Sequence, residues 1–209
     1  MPVRFREDFY LKMVTNKKMK TWETADGVKF LKRVDCKPSQ AVLDFGCRVG
    51  HYTIPAAKVV GNDGVVYAVD KDQAALDELQ QKASRLNLKN IRIVNTSGQT
   101  EIGLDNGSTD VVLFYDVLHY HKKGDREKLY TEAYRILKQN GLLSVYPKHT
   151  LEDNPEKEFI DLTVEKIKQE IQDSDFIFDK KHCGLISHDD SFNQGCVLNF
   201  RKTGSLSNV

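Results

Sequence analysis

The chain has 209 residues and nearly balanced charge, 31 Lys and Arg against 30 Asp and Glu, for a formal net charge of +1. That length suits one domain with a single substantial core, and the charge balance supplies no overall field for nucleic acid or an anionic membrane surface. There is no apolar run near the roughly 20 residues that cross a bilayer, and the charged N-terminus, Met1 to Asp8, lacks the apolar centre of a signal peptide. Cys36, Cys47, Cys183 and Cys196 are scattered with no Cys-x-x-Cys pair, as expected of a protein in a reducing cytoplasm.

The first forty residues carry two amphipathic helical stretches, near 5–17 and 24–34, read as a helical cap (residues 1–38) over the ligand edge of a following domain (39–204). Lys12, Lys17, Lys18 and Lys20 with Trp22 read as a solvated helix face. From residue 41 strand-like and helix-like segments alternate, the signature of a parallel α/β sheet. Strands are expected at 41–45, 65–69, 91–95, 110–115 and 142–146. The run Val111-Val-Leu-Phe114 is apolar throughout, as a strand buried on both faces requires. Helices are expected at 51–60, stopping at Gly61, and from the cap Asp72 to Leu86, with Ala75, Leu79 and Leu86 on one face. Two more are expected at 126–137, ended by Gln139-Asn-Gly141, and from Asn154-Pro155 to Gln172. Residues 175–181 and 195–202 read as an antiparallel hairpin with a polar loop.

The chemistry is concentrated at two strand ends. Ala41-Val-Leu-Asp-Phe-Gly-Cys-Arg-Val-Gly50 is a strand running into Asp44 and a glycine turn, and Val65–Val69 closes on a second acid, Asp70. Parallel sheets bind ligands at the carboxyl ends of their strands, where an acid on the second strand can accept from ribose hydroxyls. A nucleoside is therefore expected. A phosphate-cradling loop needs Gly-x-x-x-x-Gly-Lys-Ser/Thr, but Gly46 is followed by Gly50-His51. A dinucleotide fingerprint counted from Gly46 needs glycines where Arg48 and His51 stand.

An acid two residues before the first glycine, with a further glycine at Gly50, resembles the class I S-adenosylmethionine (SAM)-dependent methyltransferases and their Asp/Glu-x-Gly-x-Gly-x-Gly turn. Tyr115-Asp-Val-Leu-His-Tyr120 and Arg135-Ile-Leu-Lys-Gln-Asn-Gly-Leu-Leu-Ser-Val145 are similar to that family's fourth-strand end and fifth-strand approach. The resemblance covers about 160 residues. It implies a doubly wound, mostly parallel seven-stranded α/β sheet with helices on both faces and an antiparallel C-terminal hairpin, a Rossmann-like fold. It also implies SAM as cofactor and methyl transfer to a small-molecule acceptor, with neither membrane nor nucleic acid as partner. The implied cofactor-binding set is Asp44, Gly46, Cys47, Gly50, Asp70, Lys71, Ser97, Gln99 and Asp116, with Asp44 beside the cofactor's positive charges and Asp70 on its ribose.

Two positions depart from the family pattern. Arg48 replaces the middle glycine, and Asn95-Thr-Ser-Gly-Gln-Thr100 lacks the aspartate that commonly meets adenine, leaving Ser97 or Gln99 as substitutes. His119 is the candidate general base, because imidazole titrates near neutrality. Tyr10, Tyr115 and Tyr120 are candidates for the acceptor pocket, and His51 or Tyr52 for the methionine tail. His182, Cys183, His188, Asp189 and Asp190 have irregular spacing and no matched ligand set, so no metal site is expected. The alternatives are a SAM-binding regulator that has lost catalysis, an RNA or protein methyltransferase using the lysine-rich N-terminus, and an NAD-dependent oxidoreductase.

Overall fold

The computed structural model describes residues 15–204. Residues 15–21 are helical, pass through a π-helical turn at Trp22–Asp26 and continue as α1 (Gly27–Arg33). There follow β1 (Ala41–Phe45), α2 (Thr53–Val60), β2 (Val65–Asp70), α3 (Gln73–Arg85), β3 (Ile91–Asn95) and β4 (Thr109–Tyr115). The remainder is α4 (Lys123–Ile136), β5 (Leu137–Tyr146), α5 (Val164–Gln172), β6 (Phe176–His188) and β7 (Ser191–Lys202).

The seven strands form one sheet in the order β3-β2-β1-β4-β5-β7-β6. The first five are parallel, and β7 joins β5 and β6 antiparallel. Strand alternation divides the core between the two faces. Leu43, Phe45, Val112, Phe114, Leu143 and Val145 pack under α4 and α5. Val42, Val66, Val111, Leu113 and Leu142 pack under α2 and the N-terminal helix. Strand order reverses between β1 and β4, which opens a crevice at their carboxyl ends, where sheets of this kind bind ligands.

Several boundaries differ from the sequence expectation, each for a local reason. The buried face of α3 is Leu76, Leu79 and Ala83, whereas Leu86 is exposed. Asp72 does cap that helix, accepting from the N–H groups of Ala74 and Ala75. No helix starts at Asn154, because its φ is +47° and its carbonyl is engaged by His149; α5 begins later, where the Thr163 hydroxyl accepts from Lys166 N–H. Thr109 donates to the carbonyl of Ile136, which closes α4 one residue before β5 begins. Gln139-Asn140-Gly141 then lies inside the extended run, with Asn140 at φ +59°. The terminal strands extend to a tip at Asp189-Asp190, longer than expected, and bring Cys183 and Cys196 opposite each other as a disulfide. The cysteines therefore do not all stand alone as the sequence suggested.

At the N-terminus, helix runs through 15–33 rather than as two stretches, and residues 5–14 of the expected first stretch lie outside the described residues. Trp22 is buried against Phe30, Tyr52 and Phe192, and its indole donates to the carbonyl of His51 at 2.9 Å. It belongs to the core and not to a nucleic-acid face; Lys17, Lys18 and Lys20 are exposed. Gly27 is required by packing, since a β-carbon there would stand 2.8 Å from Pro55 Cγ and from the Trp22 carbonyl.

Leu79 is fully buried and fills the space above Gly50. Leu79→Ala is expected to cost about 3 kcal/mol of stability in urea denaturation. A loss below about 1 kcal/mol would contradict this packing.

Candidate functional site

A cavity of about 470 Å³ opens at the crevice between β1, β2 and β4, within the range that holds small molecules. Its wall includes Asp44, Gly46, Cys47, Arg48, Asp70 and Lys71 on one side, and Asp116, Tyr120 and Asp189 on the other.

The glycine turn is fixed by backbone bonds to the neighbouring strand. Gly46 and Cys47 both donate N–H to the carbonyl of Val69, at 2.8 and 3.1 Å. Gly46 sits at φ +76°, and a β-carbon there would meet Val117 at 2.8 Å. Gly50, at φ +90°, would run into Leu79. Arg48 also adopts the left-handed conformation, φ +45°. Its N–H donates to Asp70 Oδ2 at 2.7 Å, and its guanidinium pairs with Asp189 at the hairpin tip. Arginine thus takes the conformation of the glycine it replaces and turns its charge toward the mouth of the cavity.

The two acids differ. Asp70 is partly exposed; its Oδ2 takes Arg48 N–H and its Oδ1 takes Asp72 N–H at 2.9 Å. Each oxygen keeps a lone pair for a further donor. Asp44 is buried, with Oδ2 accepting from the Thr53 hydroxyl at 2.6 Å. Burial pushes its carboxyl up to about 6; the negative charge of Asp70 adds to this, while the Thr53 hydrogen bond opposes it. Cys47 is buried and its thiol is held well above the ordinary value by burial and by both acids, so it is a packing thiol and not a nucleophile.

On the other side, Asp116 follows β4 at φ +57°. Its Oδ2 is 2.5 Å from His188 Nδ1, and its Oδ1 is 3.8 Å from His119 Nδ1 and 3.9 Å from His149 Nε2. His119 is buried behind Asp116 and does not line the cavity. Burial and the neighbouring His149 lower its pKa to about 3, so the ring is neutral. The Tyr115 hydroxyl is engaged with Ser144 inside the core. Tyr120 is exposed at the rim, and Tyr10 lies outside the described residues. His51 bridges Glu23 Oε1 at 2.9 Å and Asp190 Oδ1 at 3.1 Å, tying the N-terminal helix to the hairpin tip.

Asp44, Gly46, Cys47, Asp70, Lys71 and Asp116 therefore meet around one cavity, with Gly50 packing behind the turn. Ser97 and Gln99 bond to each other at the exposed surface, and their neighbours Thr96 and Gly98 line the cavity instead. Sequence reasoning missed His149 and underrated His188. Their only signal was that each ends or follows a strand on the ligand-binding edge.

The fold and the glycine turn define a Rossmann-like domain of the kind that binds nucleosides at its topological switch. Residues 42–141 match a family model described as "Methyltransferase domain". The structure superposes on a SAM-dependent methyltransferase from Aquifex aeolicus with a TM-score of 0.68 and 20% identity, covering 88% of this chain and 97% of that one. Demethylmenaquinone methyltransferase of Lactobacillus johnsonii is 29% identical over 117 residues, 56% of this chain and 47% of that protein. Aklanonic acid methyltransferase of a Streptomyces species is 32% identical over 74 residues, 35% of this chain and 33% of that protein. The chain thus spans half or less of the length of these two relatives. The matched segment is thus similar to methyltransferase domains, and the whole chain shares the fold of the superposed structure.

Asp44 sets a pH dependence of stability. Its folded-state value exceeds the ordinary 3.8, so its contribution is fully present below 3.8 and is lost as the pH rises through about 6. That difference corresponds to about 3 kcal/mol. Asp44→Asn should therefore gain stability relative to the parent across this window, followed by urea denaturation at each pH. Parallel profiles would contradict the buried, proton-retaining carboxyl.

Proposed function

We propose that this chain binds SAM in the cavity at the sheet's switch point and transfers its methyl group to a small-molecule acceptor. The observation that carries the proposal is the pair of carboxylates at the ends of β1 and β2, on the wall of one 470 Å³ cavity. Asp70 keeps acceptor capacity on both oxygens after binding two backbone N–H groups, which suits the two hydroxyls of a ribose. Asp44 faces the same cavity and is favoured as a carboxylate by a cationic ligand, which suits the cofactor's ammonium and sulfonium charges. When bound, the cofactor supplies a methyl group activated by the sulfonium. The protein's part is to align the acceptor with that group, the main source of acceleration for such a displacement.

The acceptor would enter beside Asp116, Tyr120 and Asp189, a polar wall at the end of β4 and the hairpin tip. The ion pairs Arg48–Asp189 and His51–Asp190 draw that tip toward the glycine turn and narrow the mouth, which favours a small acceptor. Both named relatives carry small-molecule acceptors in their names, in line with this. His119 acts as a positioning residue behind Asp116, and helix 15–33 supports the cavity-lining His51 through the Trp22 indole, which donates to the His51 carbonyl. Arg48, the feature that suggested a non-catalytic SAM binder, is accounted for by its left-handed backbone and its bond to Asp70.

Calorimetry of the full chain with SAM tests the cofactor assignment. Asp70→Ala removes a charged acceptor worth about 1.5–3 kcal/mol and should weaken SAM at least about tenfold, with a thermal transition that is lowered by loss of the two backbone hydrogen bonds but still cooperative. Unchanged affinity would overturn the ribose assignment. Methylated product from a panel of phenols, quinols, amines and thiols, read by mass spectrometry, tests the acceptor class. Turnover only on RNA or protein would overturn it.

A further inference from the structure

The rim beside Asp116 holds side chains that the binding of a nucleoside does not use. Asp116, His149 and His188 come from the ends of three strands that are far apart in sequence, and one ligand atom from each lies within 4.8 Å of the others. All three are mostly buried, with side chains 15%, 10% and 15% exposed. The hydrogen bonding among them is incomplete. His149 Nδ1 donates to the carbonyl of Asn154 at 3.1 Å, and its other ring nitrogen, Nε2, lies 3.9 Å from Asp116 Oδ1. Asp116 Oδ1 is buried and has no hydrogen-bond partner among the described residues.

The two atoms stand beyond hydrogen-bond distance of each other. His119, 1% exposed, brings a second imidazole to the same oxygen at 3.8 Å, and neither of its ring nitrogens has a partner among the described residues. Unpaired buried acceptors around a carboxylate are costly unless a cation joins them. Asp116 and His149 are also both in the left-handed region, φ +57° and +62°, a strain that clusters where geometry serves a site.

We propose that Asp116, His149 and His188 form a binding site for a divalent transition-metal cation of the zinc type. The donor set decides the class. Two imidazoles and one carboxylate suit zinc or ferrous iron, whereas magnesium and calcium prefer all-oxygen shells. Two ligand atoms on one tetrahedral zinc lie roughly 3.3 Å apart, so His149 Nε2, 3.9 Å from Asp116 Oδ1, must move in, and His188 Nδ1, 2.5 Å from Asp116 Oδ2, must move out. The other ring nitrogen of His149 already has the kind of outer partner that metal-bound histidines use, Asn154 O, and Asp189 Oδ2 stands 3.9 Å from His188 Nε2. Cys183, which neighbours His188 on the same hairpin, is committed to its disulfide and takes no part.

Asp116 lines the large cavity, so a three-residue set leaves a coordination position facing it. A cation there would bind an acceptor oxygen or sulfur and favour its deprotonated form. That consequence rests on the methyl-transfer proposal; the binding site itself does not.

The test is calorimetric titration of the chelator-stripped full chain with zinc, repeated with cobalt for its visible absorption. The expected result is one equivalent bound at micromolar affinity or tighter, with intense cobalt bands of low-symmetry coordination. His149→Gln and His188→Gln should each weaken zinc by at least about tenfold, with thermal melting as the check that both variants fold. Asp70→Ala should lose SAM and keep zinc, which separates failure of the cofactor assignment from failure of the metal site. Absence of zinc binding below millimolar concentration, or zinc binding that survives both glutamine variants, would overturn the proposal.

Discussion

The carboxylate of Asp70 receives two backbone N–H groups, from Arg48 at 2.7 Å and from Asp72 at 2.9 Å, and the shape of the rim follows from them. One bond holds the glycine turn after β1 against the end of β2, and the other orients the start of α3. A left-handed non-glycine residue costs about 1–2 kcal/mol, and a hydrogen bond to a charged group returns about as much. That balance explains how arginine stands at a position where the family pattern has glycine. It also means that the side chain expected to hold a ribose is the one that shapes the turn around it.

The C-terminal hairpin completes the site from the far end of the chain. Its tip reaches the glycine turn through Arg48–Asp189 and His51–Asp190, contacts that span 141 and 139 residues. Arg48 and Asp189 are each about half exposed, and exposed pairs contribute little stability. The tip is held chiefly by the buried contacts of His188 with Asp116 and of the Tyr52 hydroxyl with the Ser187 carbonyl, while the disulfide and the long β6–β7 ladder keep the rest of the hairpin in register. The same tip carries His188 toward Asp116, so the edge of the cavity and the histidine cluster are built by one element.

Much of the architecture was legible in the sequence because strands buried on both faces leave continuous apolar runs, as at Val111–Phe114, and because Asp44, Gly46, Gly50 and Asp70 mark strand ends. Local signals misled where tertiary contacts won. Asn154-Pro155 looked like a helix start, but Asn154 turns left-handed and gives its carbonyl to His149. Gln139-Asn140-Gly141 looked like the end of a helix, but α4 already stops at Ile136, and these residues form an irregularity in β5 between the pairs Thr109–Leu137 and Val111–Leu142. The cluster of Asp116, His119, His149 and His188 was invisible for a simpler reason. It forms only when the ends of β4, β5 and β6 are brought together in one sheet, with β7 between the last two, and no spacing along the chain encodes that arrangement.

A crystal structure of the chain soaked with S-adenosylhomocysteine tests the cofactor site most directly. The ribose hydroxyls should donate to Asp70, with the amino-acid tail near Asp44 and the thioether sulfur directed toward Asp116. A ligand bound elsewhere, or a sulfur directed away from the β4 edge, would contradict the assignment of both the cofactor site and the acceptor wall.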